Sequence, residues 1–156
     1  MHAPLDLDYV ESFQTLASVN LELEKLGNSP ERLLRKAVLE LAVGNFQAGL
    51  RAAQQAIVGR HDNSEAHYQL GLAQLLLAFV EAEAIPAGPS WKERPSRIGV
   101  RSRLQAAADA FADAVRLNAD DGDAVAGLEH MGRLLLRDEG EAALAERLRD
   151  LSQSRN

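Results

Sequence analysis

Apolar residues recur every three or four positions along most of this chain, as expected for helix faces, and turn residues interrupt them at short intervals. Gly27 followed by Ser29-Pro30 predicts the end of one helix and the start of the next, because glycine often ends helices and proline is tolerated in their first turn. Asp62 and Glu65 have the spacing of a capping box for a later helix. Such signals predict seven helices in antiparallel hairpins, over residues 8–26, 30–44, 46–58, 64–84, 96–117, 124–137 and 141–151.

The composition supports an all-α fold. The chain of 156 residues contains 26 Ala and 25 Leu, but only 13 β-branched residues. Alanine and leucine favour helices, whereas strands are enriched in β-branched and aromatic residues. Hydrophobic residues make up 46% of the chain, which is enough for a packed core and excludes a disordered protein.

Two spacing patterns recur along the chain. The first occurs as Leu34-x2-Ala37-Val38-x2-Leu41, His67-x2-Leu70-Gly71-x2-Gln74 and Leu128-x2-Met131-Gly132-x2-Leu135. The second occurs as Gly49…Ala53…Ala56 and Ala107…Phe111…Ala114. Together they resemble the two helices of the tetratricopeptide repeat family. The resemblance implies a tetratricopeptide-like α-α superhelix with repeats at about 31–63, 64–121 and 125–156, the second carrying an inserted extension at 78–104.

The remaining segment, residues 1–28, is predicted to form an extra N-terminal helix outside the 29–156 repeat domain. Its apolar face leaves two interpretations open: it pads the first hairpin, or it occupies the groove of the array. In this family the first helix of each repeat lines a concave groove that binds a peptide or helix of another protein. The resemblance therefore implies a non-catalytic adaptor, scaffold or dedicated chaperone. The groove residues that it implies are Arg35, Leu39, Tyr68, Gln69, Leu72, His130 and Arg133.

The insertion suggests an alternative function. Residues 86–105 carry five basic side chains and one acidic one, so this stretch would suit a nucleic acid or an acidic surface. The candidate residues of this second site are Trp91, Lys92, Arg94, Arg97 and Arg101. The same stretch also predicts a projecting hairpin, in which Phe79 and Val80 pack against Ile98 and Val100 around a close approach at Gly99.

Charge and missing motifs narrow the function. The net charge of −6 disfavours a general nucleic-acid binder, and the lack of cysteine excludes disulfides and cysteine-ligated metals. The sequence contains neither a zinc-protease motif nor a glycine-rich phosphate loop, so we expect no enzyme activity and no cofactor or metal. No stretch predicts a signal peptide or a membrane span. We therefore expect a cytoplasmic protein, bacterial by its Arg and Ala usage, that binds another protein; a homo-oligomer stays open.

Overall fold

The computed structural model of this chain describes residues 9–83 and 95–139. Those residues form six α-helices and no strand, which confirms the predicted all-α class. The helices are α1 (Tyr9–Leu26), α2 (Pro30–Ala42), α3 (Phe46–Gly59), α4 (Ser64–Glu83), α5 (Pro95–Leu117) and α6 (Gly122–Glu139). The predicted seventh helix, 141–151, lies outside the described residues.

Short polar caps set the helix boundaries. The Ser29 hydroxyl accepts a hydrogen bond from the Arg32 backbone N–H at 3.2 Å, at the predicted start of α2. The cap of α4 differs from the prediction: the Asn63 carbonyl Oδ1 accepts from the backbone N–H groups of Glu65 (3.0 Å) and Ala66 (3.4 Å). Asp62 is instead bonded to the Arg60 guanidinium at 3.2 Å. Asparagine is as good an N-cap as aspartate, so the choice between the neighbouring residues depends on backbone geometry.

Consecutive helices pack against each other, and alternate helices also meet: α2 contacts α4, and α4 contacts α6. Helix α1 contacts α2 alone among the described helices. Its Leu16 and Val19 pack with Leu39 and Val43 of α2. Of the two interpretations of the N-terminal helix, this arrangement matches padding of the first hairpin.

The largest core cluster lies between α4, α5 and α6, around Phe111. This ring is 1% exposed and fits between two glycines. A Cβ atom at Gly71 of α4 would lie 2.8 Å from the ring, and one at Gly127 of α6 would lie 3.1 Å from it. Gly71, the small residue of the first repeated pattern, therefore makes room for Phe111, the large residue of the second pattern.

The α4–α5 hairpin extends as predicted, but polar contacts rather than apolar ones join its outer turns. Phe79 and Val80 are 43% and 49% exposed, so they do not form the buried contact that the pattern predicted; the side chain of Ile98 lies outside the described residues. The Arg103 guanidinium instead donates to Glu81 at 2.6 Å and to Gln74 at 3.0 Å. The predicted close approach at Gly99 is also wrong, because the nearest atom to a Cβ there is a Glu81 carboxylate oxygen at 3.7 Å.

None of the helices, within the residues described, combines the length and the apolar character that crossing a membrane requires.

Candidate functional site

The predicted groove residues belong to α2, α4 and α6, which are the helices that meet in alternate positions of the array. We call the surface of these three helices the α2–α4–α6 face. Arg35 of α2 and Arg133 of α6 are exposed, and His130 of α6 is partly exposed. These three side chains are therefore accessible from solvent, and their role in a groove stays a prediction.

Two predicted groove residues belong to the core instead. Leu39 is 7% exposed because Leu16 and Val19 of α1 cover it. Gln69 is 2% exposed, and its side-chain amide donates to the Glu65 carboxylate, one helical turn earlier, at 2.9 Å. Repeat register alone placed both residues in the groove. It did not account for α1, nor for the local pairing of Gln69 with Glu65.

Leu72 and Tyr68 are partly buried on α4, and they pack against different core clusters. Leu72 packs against a cluster that contains Leu41 of α2 and Leu50 of α3. Tyr68 packs against the α4–α5–α6 core, with its ring centroid 5.7 Å from that of Phe111 and the ring planes tilted by 50°. Both side chains thus combine a packing role with partial exposure.

The surroundings of Tyr68 are acidic. Burial, followed by the charges of Asp123, Glu65 and Asp121, raises the pKa of its phenol from 10.0 to about 12. The sequence predicts only a capping role for Glu65 and no role in the groove for Asp121 or Asp123. The position of each carboxylate can be recognised in the sequence, because each lies in the first turn of a predicted helix or just before it. Acidic residues are favoured at such positions for helix capping alone. Only the fold brings the starts of α4 and α6 together around one phenol.

The second predicted site, in the insertion, is described only at its C-terminal end. Arg101 is partly buried on α5. Arg103, one of the five basic side chains counted there, is bonded to Glu81 and Gln74 and so serves the hairpin. The side chains of Trp91, Lys92, Arg94 and Arg97 lie outside the described residues, so the basic site stays a prediction.

The surroundings of His67 and of one surface pocket are described by the structure. The His67 ring is bonded through Nε2 to the backbone carbonyl of His61 at 2.9 Å, and its Nδ1 lies 3.9 Å from an Asp113 carboxylate oxygen. No group of three potential metal ligands occurs within residues 9–83 and 95–139. An open pocket of about 480 Å³ lies where the α2–α3 turn meets α4. Its described lining includes Phe46, Leu77, Val80 and Arg51.

The α2–α4–α6 face therefore offers exposed cations at its two outer helices and an acidic, partly aromatic surface between α4 and α6. Such an arrangement suits noncovalent recognition of a charged polypeptide. The chain matches no protein-family model, no curated protein and no solved structure.

Proposed function

We propose that this chain is a tetratricopeptide-like, non-catalytic binding module, which holds a peptide or amphipathic helix of another protein on the α2–α4–α6 face. The observation that carries the proposal is the contact of alternate helices, α2 with α4 and α4 with α6. Contacts of this kind give a continuous surface across three helices, on which an extended partner can lie.

The charges of the face indicate what the partner carries. A basic side chain of the partner would find Glu65, Asp121 and Asp123 beside Tyr68. Acidic side chains would find Arg35 or Arg133, both exposed. Because Leu39 and Gln69 are buried, the partner's apolar contacts fall on Tyr68 and Leu72. A partner of mixed charge with few apolar anchors fits this surface better than a strongly hydrophobic helix.

Charge reversal on the face tests the proposal. The double variant Arg35→Glu with Arg133→Glu changes only exposed side chains, so it should fold normally. The matched control is Arg51→Glu, also exposed but on α3, outside the face. Each purified protein is immobilised, and the proteins that it retains from native cell extract are quantified by mass spectrometry.

We expect a small set of proteins that bind the unmodified chain and the Arg51→Glu control. The double variant should bind them at least about tenfold less. Equal retention by all three proteins would place recognition elsewhere on the molecule. Equal retention by all three proteins that disappears with rising salt would instead favour the anionic partner of the basic insertion.

A further inference from the structure

Helix α1 covers a residue that the repeat pattern predicts for the groove, and α1 has a single described neighbour. Leu39 is 7% exposed because Leu16 and Val19 pack against it. Helix α1 contacts α2 alone among the described helices. Elsewhere on α1, Leu21 and Leu26 stay 49% and 65% exposed. Detaching α1 from the described helices therefore breaks only one contact between helices.

Two oxygen atoms beside this contact are buried without a hydrogen-bond donor among the described residues. They are Oδ1 of Asn20 on α1 and Oε2 of Glu40 on α2. Asn20 directly follows Val19, and Glu40 directly follows Leu39. Val19 and Leu39 belong to one cluster between the two antiparallel helices. In an antiparallel pair, the residues that follow two contacting positions turn toward the same side, so Asn20 and Glu40 lie on one side of the contact.

These two oxygens lower the free energy needed to detach α1. A buried acceptor without a donor has lost its hydrogen bonds to water and has gained none in the protein. When α1 leaves α2, water can reach both atoms. The Glu40 carboxylate is then also free to pair with Lys36, which lies one helical turn earlier on α2 and is partly exposed. The apolar contact that holds α1 is therefore opposed by the polar groups beside it.

We propose that α1 is a hinged cover, which opens from α2 as a unit and so controls access to Leu39 and Val43. When α1 is open, a partner on the α2–α4–α6 face gains these two apolar side chains as further anchors. This gain rests on the proposed function, whereas the opening itself does not.

The turn between α1 and α2 supplies the hinge. Gly27 directly follows α1 and has a φ of 87°, and no atom lies within 4 Å of a Cβ added there. The Arg32 guanidinium of α2 donates to the carbonyl oxygens of Leu26 and Gly27, each at 3.3 Å. These bonds tie the C-terminal end of α1 to the start of α2, so opening pivots at this turn and frees the opposite end of α1.

Thiol labelling tests the opening, because the natural chain has no cysteine. Val43→Cys places a thiol under α1, where the residue is 2% exposed. The matched control Val115→Cys places one in the α4–α5–α6 core, where the residue is 1% exposed. A water-soluble maleimide reacts with a buried thiol only while local opening exposes it. We expect the full chain with Val43→Cys to react at least about tenfold faster than the control, and equal rates would overturn the proposal.

Removal of the buried carboxylate tests what favours opening. Glu40→Met, introduced beside Val43→Cys, should slow the labelling at least about fivefold. The control Glu129→Met, at an exposed position of α6, should leave the rate unchanged. If circular dichroism shows that Glu40→Met does not fold, Asn20→Leu provides the same comparison. An unchanged rate in the folded variant would mean that the polar pair does not favour opening, which would overturn the proposal.

Control of binding is tested with Val19→Asp, which places a charge in the contact with α2 and so opens α1. The control Ser18→Asp changes an exposed neighbour. Because a covered site binds in proportion to its open fraction, Val19→Asp should retain at least about threefold more of the partner proteins than the parent or the control. If Val19→Asp does not fold, Leu16→Ala in the same contact replaces it.

The outcomes separate this inference from the proposed function. Equal retention by the parent and the opened variant, together with fast labelling at position 43, would overturn the control of binding by α1. A parent chain that retains no protein at all would overturn the proposed function, while the labelling rates would still decide whether α1 opens.

Discussion

Gly71 is a position at which a single added methyl group should disturb the core. An added Cβ would lie 2.8 Å from the Phe111 ring, closer than real Cβ contacts allow. Phe111 is 1% exposed and surrounded by three helices, so the ring has little freedom to move. We expect Gly71→Ala to lower the free energy of unfolding by about 1–3 kcal/mol, measured by urea denaturation.

Gly122→Ala is the matched control for this substitution. It lies at the start of α6, and no atom lies within 4 Å of an added Cβ. This variant should keep the parent stability or gain up to about 1 kcal/mol, because alanine favours helix over glycine. Equal losses for Gly71→Ala and Gly122→Ala would contradict the role assigned to the Phe111 contact.

Glu40 carries a buried carboxylate whose hydrogen-bonding capacity is not fully satisfied. Its side chain is on α2, the residue is 6% exposed, and its Oε2 atom has no hydrogen-bond partner among the residues that the structure describes. Burying an unsatisfied polar group costs about 1–3 kcal/mol. We therefore expect Glu40→Met, which keeps the length of the chain and the helix propensity, to raise the midpoint of thermal unfolding.

The control for this prediction is Glu129→Met, at an exposed position of α6. That change should alter stability by less than about 0.5 kcal/mol. A destabilised Glu40→Met variant would mean that the carboxylate has a stabilising partner, such as a bound water molecule.

The phenol of Tyr68 predicts a decline of stability at alkaline pH. Its pKa is raised to about 12 in the folded chain, against about 10 for an unfolded tyrosine. Below pH 10 the phenol is protonated in both states, so it adds no pH dependence. Between about pH 10 and 12 only the unfolded chain loses the proton, and the free energy of unfolding must fall. Denaturation of the parent and of Tyr68→Phe at several pH values should show a smaller decline for the variant.

At the scale of the element, the Arg103–Glu81 pair joins the outer turns of the α4–α5 hairpin. The side chains are only 22% and 35% exposed, and the Nε–Oε1 distance is 2.6 Å. Partial burial of a hydrogen-bonded pair should give a coupling of about 1 kcal/mol in a double-mutant cycle with Arg103→Met and Glu81→Gln.

The Arg60–Glu31 pair provides the control cycle. Its side chains are 54% and 65% exposed, and its atoms are 3.5 Å apart. We expect a coupling near zero there, because solvent screens exposed pairs. Equal couplings in the two cycles would contradict a specific role for Arg103 in the hairpin.

At the scale of the whole molecule, stability should be uneven along the array. Helix α4 contacts four other described helices, whereas α1 contacts one. Local opening follows the number of buried contacts that it breaks. Hydrogen exchange followed by mass spectrometry should therefore show α1 amides exchanging at least about tenfold faster than those of α4 in dilute protein. Equal protection of α1 and α4 would contradict the uneven stability.

The sequence by itself determined the helices of the described chain and nearly all their boundaries. Alanine and leucine content, helical spacing and breakers such as Gly27 and Ser29-Pro30 act locally, over a turn or two of chain. Arg35 and Arg133 are exposed, which local reasoning also expects, because long charged side chains stay in water wherever a helix face meets solvent.

Only the tertiary structure decided which helix covers which face. The repeat positions of Leu39 and Gln69 predict groove residues, yet both are buried. Helix α1 covers Leu39, and the side chain of Gln69 is hydrogen-bonded to Glu65. The sequence pattern predicts that Phe79 and Val80 are buried in the α4–α5 hairpin, yet both are exposed. The hydrogen bond from Arg103 to Glu81 joins the two helices there instead. The acidic surroundings of Tyr68 likewise arise from two helix starts more than 50 residues apart in the chain. Burial and electrostatic contact depend on the distances between separate helices. The periodicity of residues along one helix gives no information about those distances.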